Sequence, residues 1–139
     1  MKPIVCAIDA ERIDEVWPLV EPHITIGVEA ARGELTVYGV HQALVDGDML
    51  LLMVYQDRKV IAALGLDITV HMSGKRTIGV TVCAGSQLDE WMVDIIEALD
   101  QLGAEMKCDA VVIIGRPGWT KKLAEHGYSR AYVAMSKEI

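Results

Sequence analysis

The chain of 139 residues has the length of one compact domain, and its 52% apolar content is too high for a disordered chain. A net charge of −7 argues against DNA or RNA as the main partner, because phosphate binding needs a basic surface. No apolar run approaches the roughly 18 residues of a membrane span, and the N-terminal sequence lacks the apolar region of a signal peptide. We therefore expect a single domain, 1–139, in the cytoplasm, with neither nucleic acid nor a membrane as its partner.

Hydrophobic periodicity divides the chain into ten predicted elements. Apolar residues recur at helical spacing in four segments, and short β-branched or wholly apolar runs indicate six strands. Short links join the three middle strands, which favours antiparallel hairpins. The predicted elements are, in chain order, strand 3–8, a helix containing residues 13–20, helix 35–46, strands 49–55, 60–71 and 77–84, helix 88–102, strand 110–114, helix 118–126 and strand 131–139. Residues 22–34 fit either a helix or a loop.

Proline and glycine set the expected limits of these helices. Pro18 interrupts the first helical pattern, so we expect a kink or a new start there. Gly103 is expected to close helix 88–102, and Gly127 is expected at the C′ position of the last helix. Because helix 88–102 connects two strands, those strands are expected to be parallel. The sequence thus predicts an α+β protein of three layers (α/β/α) whose mixed sheet is largely antiparallel, with one central parallel pair.

The thiol and imidazole side chains show no metal-ligand spacing. The cysteines, Cys6, Cys83 and Cys108, are an odd number beside apolar neighbours, which favours buried free thiols over a disulfide or a zinc site. No two of the four histidines lie at i, i+4 with a third ligand nearby. We therefore expect no metal. His23 and His41 are candidates for a general base, with a surface or interface role as the alternative.

The order of elements is similar to that of the GNAT-type N-acetyltransferases over nearly the whole chain. The most specific part runs from TIGVTVCAG through helix 88–102 to AVVIIG, and then to a short helix that ends in Gly127-Tyr128. The stretches GRPGW and LDEWMVDIIEALDQLG also resemble small GNAT-like proteins of tailed phages and prophages. The resemblance implies a GNAT-like fold in which the parallel strand pair is splayed, with acetyl-CoA as the cofactor. For a phage-encoded protein it implies the cytoplasm of the host cell.

The resemblance places the pyrophosphate of the cofactor on backbone N–H groups at the start of helix 88–102. Such N–H groups are unpaired and lie at the positive end of the helix dipole. The corresponding loop residues are Cys83, Ala84, Gly85, Ser86 and Gln87. This loop has one glycine and no arginine, and two acidic residues follow in the first helical turn, where they oppose a diphosphate. A helix capped by Ser86 and a divergent cofactor loop are both open interpretations.

The resemblance also gives roles to the last short helix. Counted back from the Gly-Tyr pair, Arg116, Trp119 and Leu123 stand where the family has an asparagine that holds CoA, an alanine, and a tyrosine that protonates the thiolate. Leu123 has no proton to donate, so the general acid of the family is missing. Arg116 would contact a phosphate of the cofactor or pair with an acidic residue, Asp89 or Glu90. Trp119 completes the predicted cofactor site.

Two functions from different classes follow from this sequence. One is a GNAT-fold protein of phage or prophage type with a degenerate cofactor loop and no general-acid tyrosine, so that its activity is in doubt and its partner is a phage or host protein. The alternative is an active acetyl-CoA-dependent N-acetyltransferase with a divergent cofactor loop and an unknown amine acceptor. In either case a second copy of the chain is a further candidate partner, which would give a homodimer.

Overall fold

The computed structural model describes residues 2–114 and 119–139 of the chain. Within those residues it contains four α-helices and five strands, and a short 3₁₀ turn precedes the first helix. The elements are, in chain order, β1 (Ile4–Ile8), α1 (Ile13–Glu29), α2 (Val37–Asp46), β2 (Leu50–Gln56), β3 (Lys59–Val70), β4 (Arg76–Gly85), α3 (Leu88–Glu105), β5 (Ala110–Ile113) and α4 (Trp119–Ala124). The ambiguous segment 22–34 is helical as far as Glu29 and then turns.

The five strands form one mixed sheet in the order β1-β2-β3-β4-β5. The first three pairings are antiparallel, whereas β4 pairs with β5 in parallel. Helix α3 makes the crossover that a parallel pair requires. The predicted sheet, largely antiparallel with one parallel pair, is therefore confirmed. The pair lies at one side of the described sheet, with β5 as its outermost strand.

Strand β4 contains a β-bulge at Thr81. Val80 lies opposite Leu66 on β3. Two residues later Val82 lies opposite Gly65, so Thr81 is an additional residue without a counterpart on β3. Alternate residues of a regular strand share a face, but here Val80 packs in the core under α3 and Val82 packs in the core under α1. The bulge therefore reverses which side chains face each layer.

Helices cover both faces of the sheet and create two apolar cores. The core between the sheet and the first two helices is built mainly from Ile13, Val20, Ile24, Leu44, Leu51 and Ala63. The core between the sheet and α3 is built mainly from Trp91, Ile95, Leu99, Leu64, Leu66 and Ile78. The predicted three-layer arrangement, with helices on both sides of the sheet, is thus confirmed.

Helix α1 runs without interruption although it contains Pro18 and Pro22. Of the two outcomes expected at Pro18, a kink or a new start, the new start is wrong. Each proline removes one backbone donor, but Val20 and Ile24 are completely buried against the sheet. This buried face provides the packing energy that keeps the helix continuous.

Helix α3 continues past Gly103, so the expectation that this glycine closes the helix is also wrong. The helix ends at Glu105, and Lys107 takes the left-handed conformation with a φ of 58°. The N–H of Cys108 then donates to the carbonyl of Gly103, 2.7 Å away, which completes the helix terminus. A Cβ on Gly103 would lie 3.4 Å from Ile78, an ordinary van der Waals contact, so Gly103 is an interior helix residue that packs on the sheet.

The C-terminal segment differs from the prediction. The expected strand 131–139 does not form, and residues 129–139 have no regular secondary structure. The physical reason is that this segment pairs with no strand of the described chain and its side chains are exposed. By contrast, Gly127 has a φ of 88°, and the N–H of Tyr128 donates to the carbonyl of Leu123 at 3.2 Å. This geometry confirms Gly127 as the C′ residue of the last helix.

Candidate functional site

The pairing of the parallel strands β4 and β5 ends at Val80 and Ile113, and a cleft of about 910 Å³ lies beyond it. Strand β4 continues to Gly85, paired on its other side with β3. The cleft reaches both faces of the sheet, because residues of α3 line one end and the residues that follow α1 line the other. We call these the apolar end and the polar end.

The apolar end of the cleft lies between α3 and α4. It is lined by Leu88, Trp91, Met92, Ile96, Trp119 and Leu123. Trp91 is 2% exposed, and its indole N–H donates to the carbonyl of Ser86 at 2.6 Å. This hydrogen bond attaches the loop between β4 and α3 to the first turn of the helix. Trp119, which the sequence placed in the cofactor site, lies at this end.

The polar end of the cleft is formed by a strip of polar residues on the sheet. Asp67 and Thr69 alternate along β3, His71 directly follows the strand, and Thr77 lies opposite Thr69 on β4. Alternate strand residues share a face, so the strip faces the side of the sheet that α1 covers only in part. The Nε2 atom of His71 is hydrogen-bonded to the Thr77 hydroxyl at 3.1 Å.

Asp67 is the half-buried carboxylate of the polar strip. A Cβ placed on Gly79 would lie 3.5 Å from its Oδ1 atom, which positions the carboxylate directly over the backbone of β4. No residue of the described ranges 2–114 and 119–139 forms a hydrogen bond or an ion pair with it. The carboxylate is therefore accessible to a ligand in the cleft.

The loop from Cys83 to Gln87 is placed at the start of α3, as the sequence indicated. A Cβ at Gly85 would lie 2.2 Å from the Cβ of Ala62, so close strand packing alone requires glycine there. The N–H of Ser86 donates to the carbonyl of Ile61 at 2.9 Å. That donor is consequently engaged within the protein.

Helix α3 begins differently from the expected capped helix. Gln87, and not Ser86, is the N-cap residue; it has a φ of 59° and its side chain makes no capping hydrogen bond. Asp89 and Glu90 lie in the first turn, as expected. The exposed side chains of Asp89 and Lys122 form an ion pair that links α3 to α4. This pair offsets part of the negative charge at the start of α3.

Arg116 lies outside the described residues, so its predicted contact with a phosphate or with an acidic residue stays a prediction. One of its two expected acidic partners, Asp89, is engaged by Lys122. The backbone N–H of the other, Glu90, donates to the carbonyl of Gln87 at 2.9 Å, a contact that does not involve its carboxylate.

Leu123, which the sequence predicted to replace a general-acid tyrosine, is a packing residue. Leu123 is 8% exposed and packs with Met92 and Ile96. The hydroxyl of Tyr128 is buried and has no hydrogen-bond partner within the described ranges. Burial, assisted by the negative charge of Asp100, raises the pKa of Tyr128 to about 12. Neither residue is arranged to donate a proton in the cleft.

Cys83 lines the cleft but is not arranged as a nucleophile. Burial raises the pKa of its thiol to about 11. At neutral pH the thiol is therefore protonated, and the reactive thiolate is essentially absent. This agrees with the interpretation of Cys83 as a small apolar residue.

The two histidines proposed as bases are engaged elsewhere. His23 donates from Nε2 to the carbonyl of Val60 at 3.1 Å. His41 stacks on Trp17 with ring centroids 4.1 Å apart, and it donates to Asp14 at 2.8 Å. Neither lines the cleft, whereas His71 does. The sequence signal for the polar strip was the appearance of polar residues at every second position in an otherwise apolar strand.

Comparison with known proteins finds similarity in structure alone. No protein-family model matches the sequence, and no curated protein matches it. An aminoglycoside acetyltransferase from an uncultured soil metagenomic sample superimposes with a TM-score of 0.73 at 13% identity, over 100% of this chain and 99% of that one. Glucosamine-6-phosphate N-acetyltransferase from Arabidopsis thaliana gives a TM-score of 0.67 at 12% identity, over 99% of each chain.

Among the residues that the structure describes, none of the helices combines the length and the apolar character of a membrane span.

A GNAT family acetyltransferase from Staphylococcus aureus gives a TM-score of 0.65 at 10% identity, over the full length of both chains. The similarity in structure extends over all elements of the mixed sheet and its helices. The chain therefore has the fold of the GNAT acetyltransferases.

Proposed function

We propose that the protein is an N-acyltransferase that takes an acyl group from an acyl-CoA thioester and transfers it to an amine. The observation that supports this proposal is the cleft between β4 and β5, which opens on both faces of the sheet. Acyl transfer requires two different molecules to meet at one point in a defined orientation. A cleft with one apolar end and one polar end can receive them from opposite sides.

The residues at the apolar end fit an acyl-CoA. The cleft has the volume of a small-molecule site, and most of its side chains at this end are apolar. The side chain of Gln87 does not cap α3, so the first turn keeps donors that suit an anion. Lys122 offsets the charge of Asp89 at the same helix start. When bound, acetyl-CoA would supply an activated acyl thioester.

Asp67 is the residue best placed to hold the acceptor amine. Only a neutral amine has the lone pair needed for attack, so an ammonium must first lose a proton. The half-buried carboxylate of Asp67 attracts the ammonium and accepts that proton as a general base. Leu123 supplies no proton to the leaving sulfur, so we expect water in the open cleft to supply it.

A second candidate is a protein that kept this fold without the transfer activity, such as an assembly or interaction factor of a phage. Two observations favour it. The Ser86 N–H is already donated to Ile61, and the position of the family's acid holds the buried Leu123. In this case the cleft binds no acyl-CoA.

Calorimetry and thermal melting with acetyl-CoA distinguish the two candidates. The transferase should release heat on binding and melt at a higher temperature with the ligand, because a ligand that binds only the folded state stabilises it. Absence of both effects at millimolar acetyl-CoA would remove the transferase and leave the non-catalytic candidate.

Substitution of Asp67 tests the proposed base. With an amine that the wild type acetylates, Asp67→Asn should lower kcat/KM by about 10²–10⁴-fold, the usual contribution of a general base. Binding of acetyl-CoA should be unchanged, because Asp67 lies at the other end of the cleft. Asp46→Asn, an exposed residue at the end of α2, is the matched control and should keep full activity. Equal rates for the Asp67 variant and the wild type would exclude this role.

A further inference from the structure

A second cavity, which we call the small cavity, lies beside the loop that connects β4 to α3. It has a volume of about 320 Å³. Polar side chains from α1, from the β2–β3 hairpin and from this loop line it: His23, Gln56, Asp57, Lys59, Ser86 and Gln87. Gln87 lines the small cavity, whereas the next residue, Leu88, lines the apolar end of the cleft. The two cavities are therefore neighbours at the start of α3.

Ser86 connects the walls of the cleft and the small cavity. Its N–H donates to the carbonyl of Ile61 at 2.9 Å, and Ile61 lines the small cavity. Its carbonyl accepts the indole N–H of Trp91 at 2.6 Å, and Trp91 lines the apolar end of the cleft. Because both hydrogen bonds fix the same short loop, the two cavities keep a constant relative position. A ligand long enough to pass over Gln87 can therefore occupy both.

Lys59 brings a positive charge to the small cavity. It follows a two-residue turn in which Asp57 and Arg58 have φ values of 52° and 64°, the geometry of a tight type I′ hairpin. Within residues 2–114 and 119–139, Lys59 forms no ion pair. Its ammonium is therefore available to an anion, whereas the exposed carboxylate of Asp57 in the same cavity opposes one.

The start of α3 is acidic and lacks such a free cation among its first-turn side chains. Asp89 and Glu90 lie in this turn, and Lys122 is paired with Asp89. An acyl-CoA carries a diphosphate and a separate phosphate on the 3′ carbon of its ribose, so it needs positive charge beyond the helix start. The compact ammonium of a lysine suits a phosphate, and Lys59 supplies one beside this loop.

We propose that the small cavity binds the 3′-phosphate of the acyl-CoA and that Lys59 is the residue that selects for it. The hydrogen bond between Nε2 of His23 and the Val60 carbonyl, 3.1 Å long, fixes the opposite wall of the cavity. Asp57 reduces the attraction for a phosphate, so removal of the two charges should change the affinity in opposite directions. This inference rests on the proposed transferase function and adds the residue that recognises the nucleotide end of the donor.

Calorimetry with CoA and with 3′-dephospho-CoA tests the proposal on the full-length protein. The wild type should bind CoA about tenfold more tightly, the value of one hydrogen bond to a charged group. Lys59→Ala should bind the two ligands equally, and Lys59→Arg should keep the preference because it keeps the charge. Asp57→Asn should increase the preference by about two- to fivefold, the range for exposed charges. Lys75→Ala, an exposed lysine beyond the opposite end of β3, is the matched control and should behave like the wild type.

Lys59 is exposed, so its variants should melt at the wild-type temperature in the absence of ligand. Equal affinities of the wild type for the two ligands would overturn this inference and leave the transferase in place. A Lys59→Ala variant that loses the same affinity for both ligands would also overturn it, because Lys59 would then contact the diphosphate. Absence of binding by either ligand would remove the transferase together with this site.

Discussion

The apolar end and the polar end of the cleft share one opening but belong to different parts of the fold. Trp91, Met92 and Ile96 line the apolar end and are also core residues of α3. Asp67 and Thr69 line the polar end and are half-buried or exposed. Changes at the apolar end should therefore disturb folding and binding together, whereas changes at the polar end should alter the site and leave the core intact.

Trp91→Ala should give the largest effect and tests whether the apolar end belongs to the core. It removes a buried ring and the hydrogen bond to Ser86, so the free energy of unfolding should fall by about 3–5 kcal/mol. Thr69→Ala at the polar end should change it by less than about 0.5 kcal/mol. Urea unfolding measures both. Similar losses at the two ends would contradict the distinction.

The dependence of stability on pH in alkaline solution tests Cys83, which lies at the boundary between the two ends of the cleft. Burial raises the pKa of the thiol from 9.0 to about 11 in the folded protein. The stability that comes from this neutral thiol is fully present below pH 9 and is lost as the pH rises through 11. Two pKa units correspond to about 2–3 kcal/mol. Cys83→Ala should therefore lose less stability than the wild type between pH 9 and pH 11, as measured by urea unfolding.

Tyr128 also has a raised pKa, about 12, but it is present in both proteins and cancels in the difference between them. Parallel curves for the wild type and Cys83→Ala over this range would mean that the thiol is open to solvent. In that case the boundary of the core lies deeper than Cys83.

Lys122→Ala should give only a small effect, because it removes an exposed ion pair at the rim of the apolar end. Its partner Asp89 is 80% exposed and Lys122 is 50% exposed, so the free energy of unfolding should fall by about 0.2–1 kcal/mol at low salt. The difference should vanish near 1 M salt, where charges are screened within about 3 Å. Lys121→Ala is the matched control from the same helix. A loss that persists at high salt would show that Lys122 contributes by packing and not by charge.

Much of the fold could be predicted from the sequence, because hydrophobic periodicity is a direct consequence of burial. The helix 88–102 and the parallel step after it followed from spacing alone. The role of Gly103 was predicted wrongly, since a glycine near the end of a helical pattern can be its cap or an interior residue, and here Lys107 takes the left-handed conformation beyond the helix end. The new helix start expected at Pro18 does not occur, because tertiary packing outweighed a local preference.

The candidate site was harder to predict. The loop at Gly85 could be located by counting, because it lies directly before the strongly periodic helix α3. The absence of a general-acid tyrosine at Leu123 stays a prediction. Sequence reasoning did not place Asp67, His71 and Thr77 in one polar strip, because their position on the same face of the sheet depends on strand register. The strand 131–139 was predicted from composition, which gives β propensity but does not supply a neighbour to pair with.

The extra residue at Thr81 has a consequence for how this chain tolerates insertion and deletion. Without it, the side chains on one half of β4 would change sides: Val82 would no longer reach Gly27, or Val80 would leave the layer under α3. Deleting one residue here would be more harmful than many substitutions, because the side chains of half of the strand would move to the opposite faces of the sheet. Related sequences should vary the residue at position 81 freely, while keeping the count of residues between Val80 and Val82 constant.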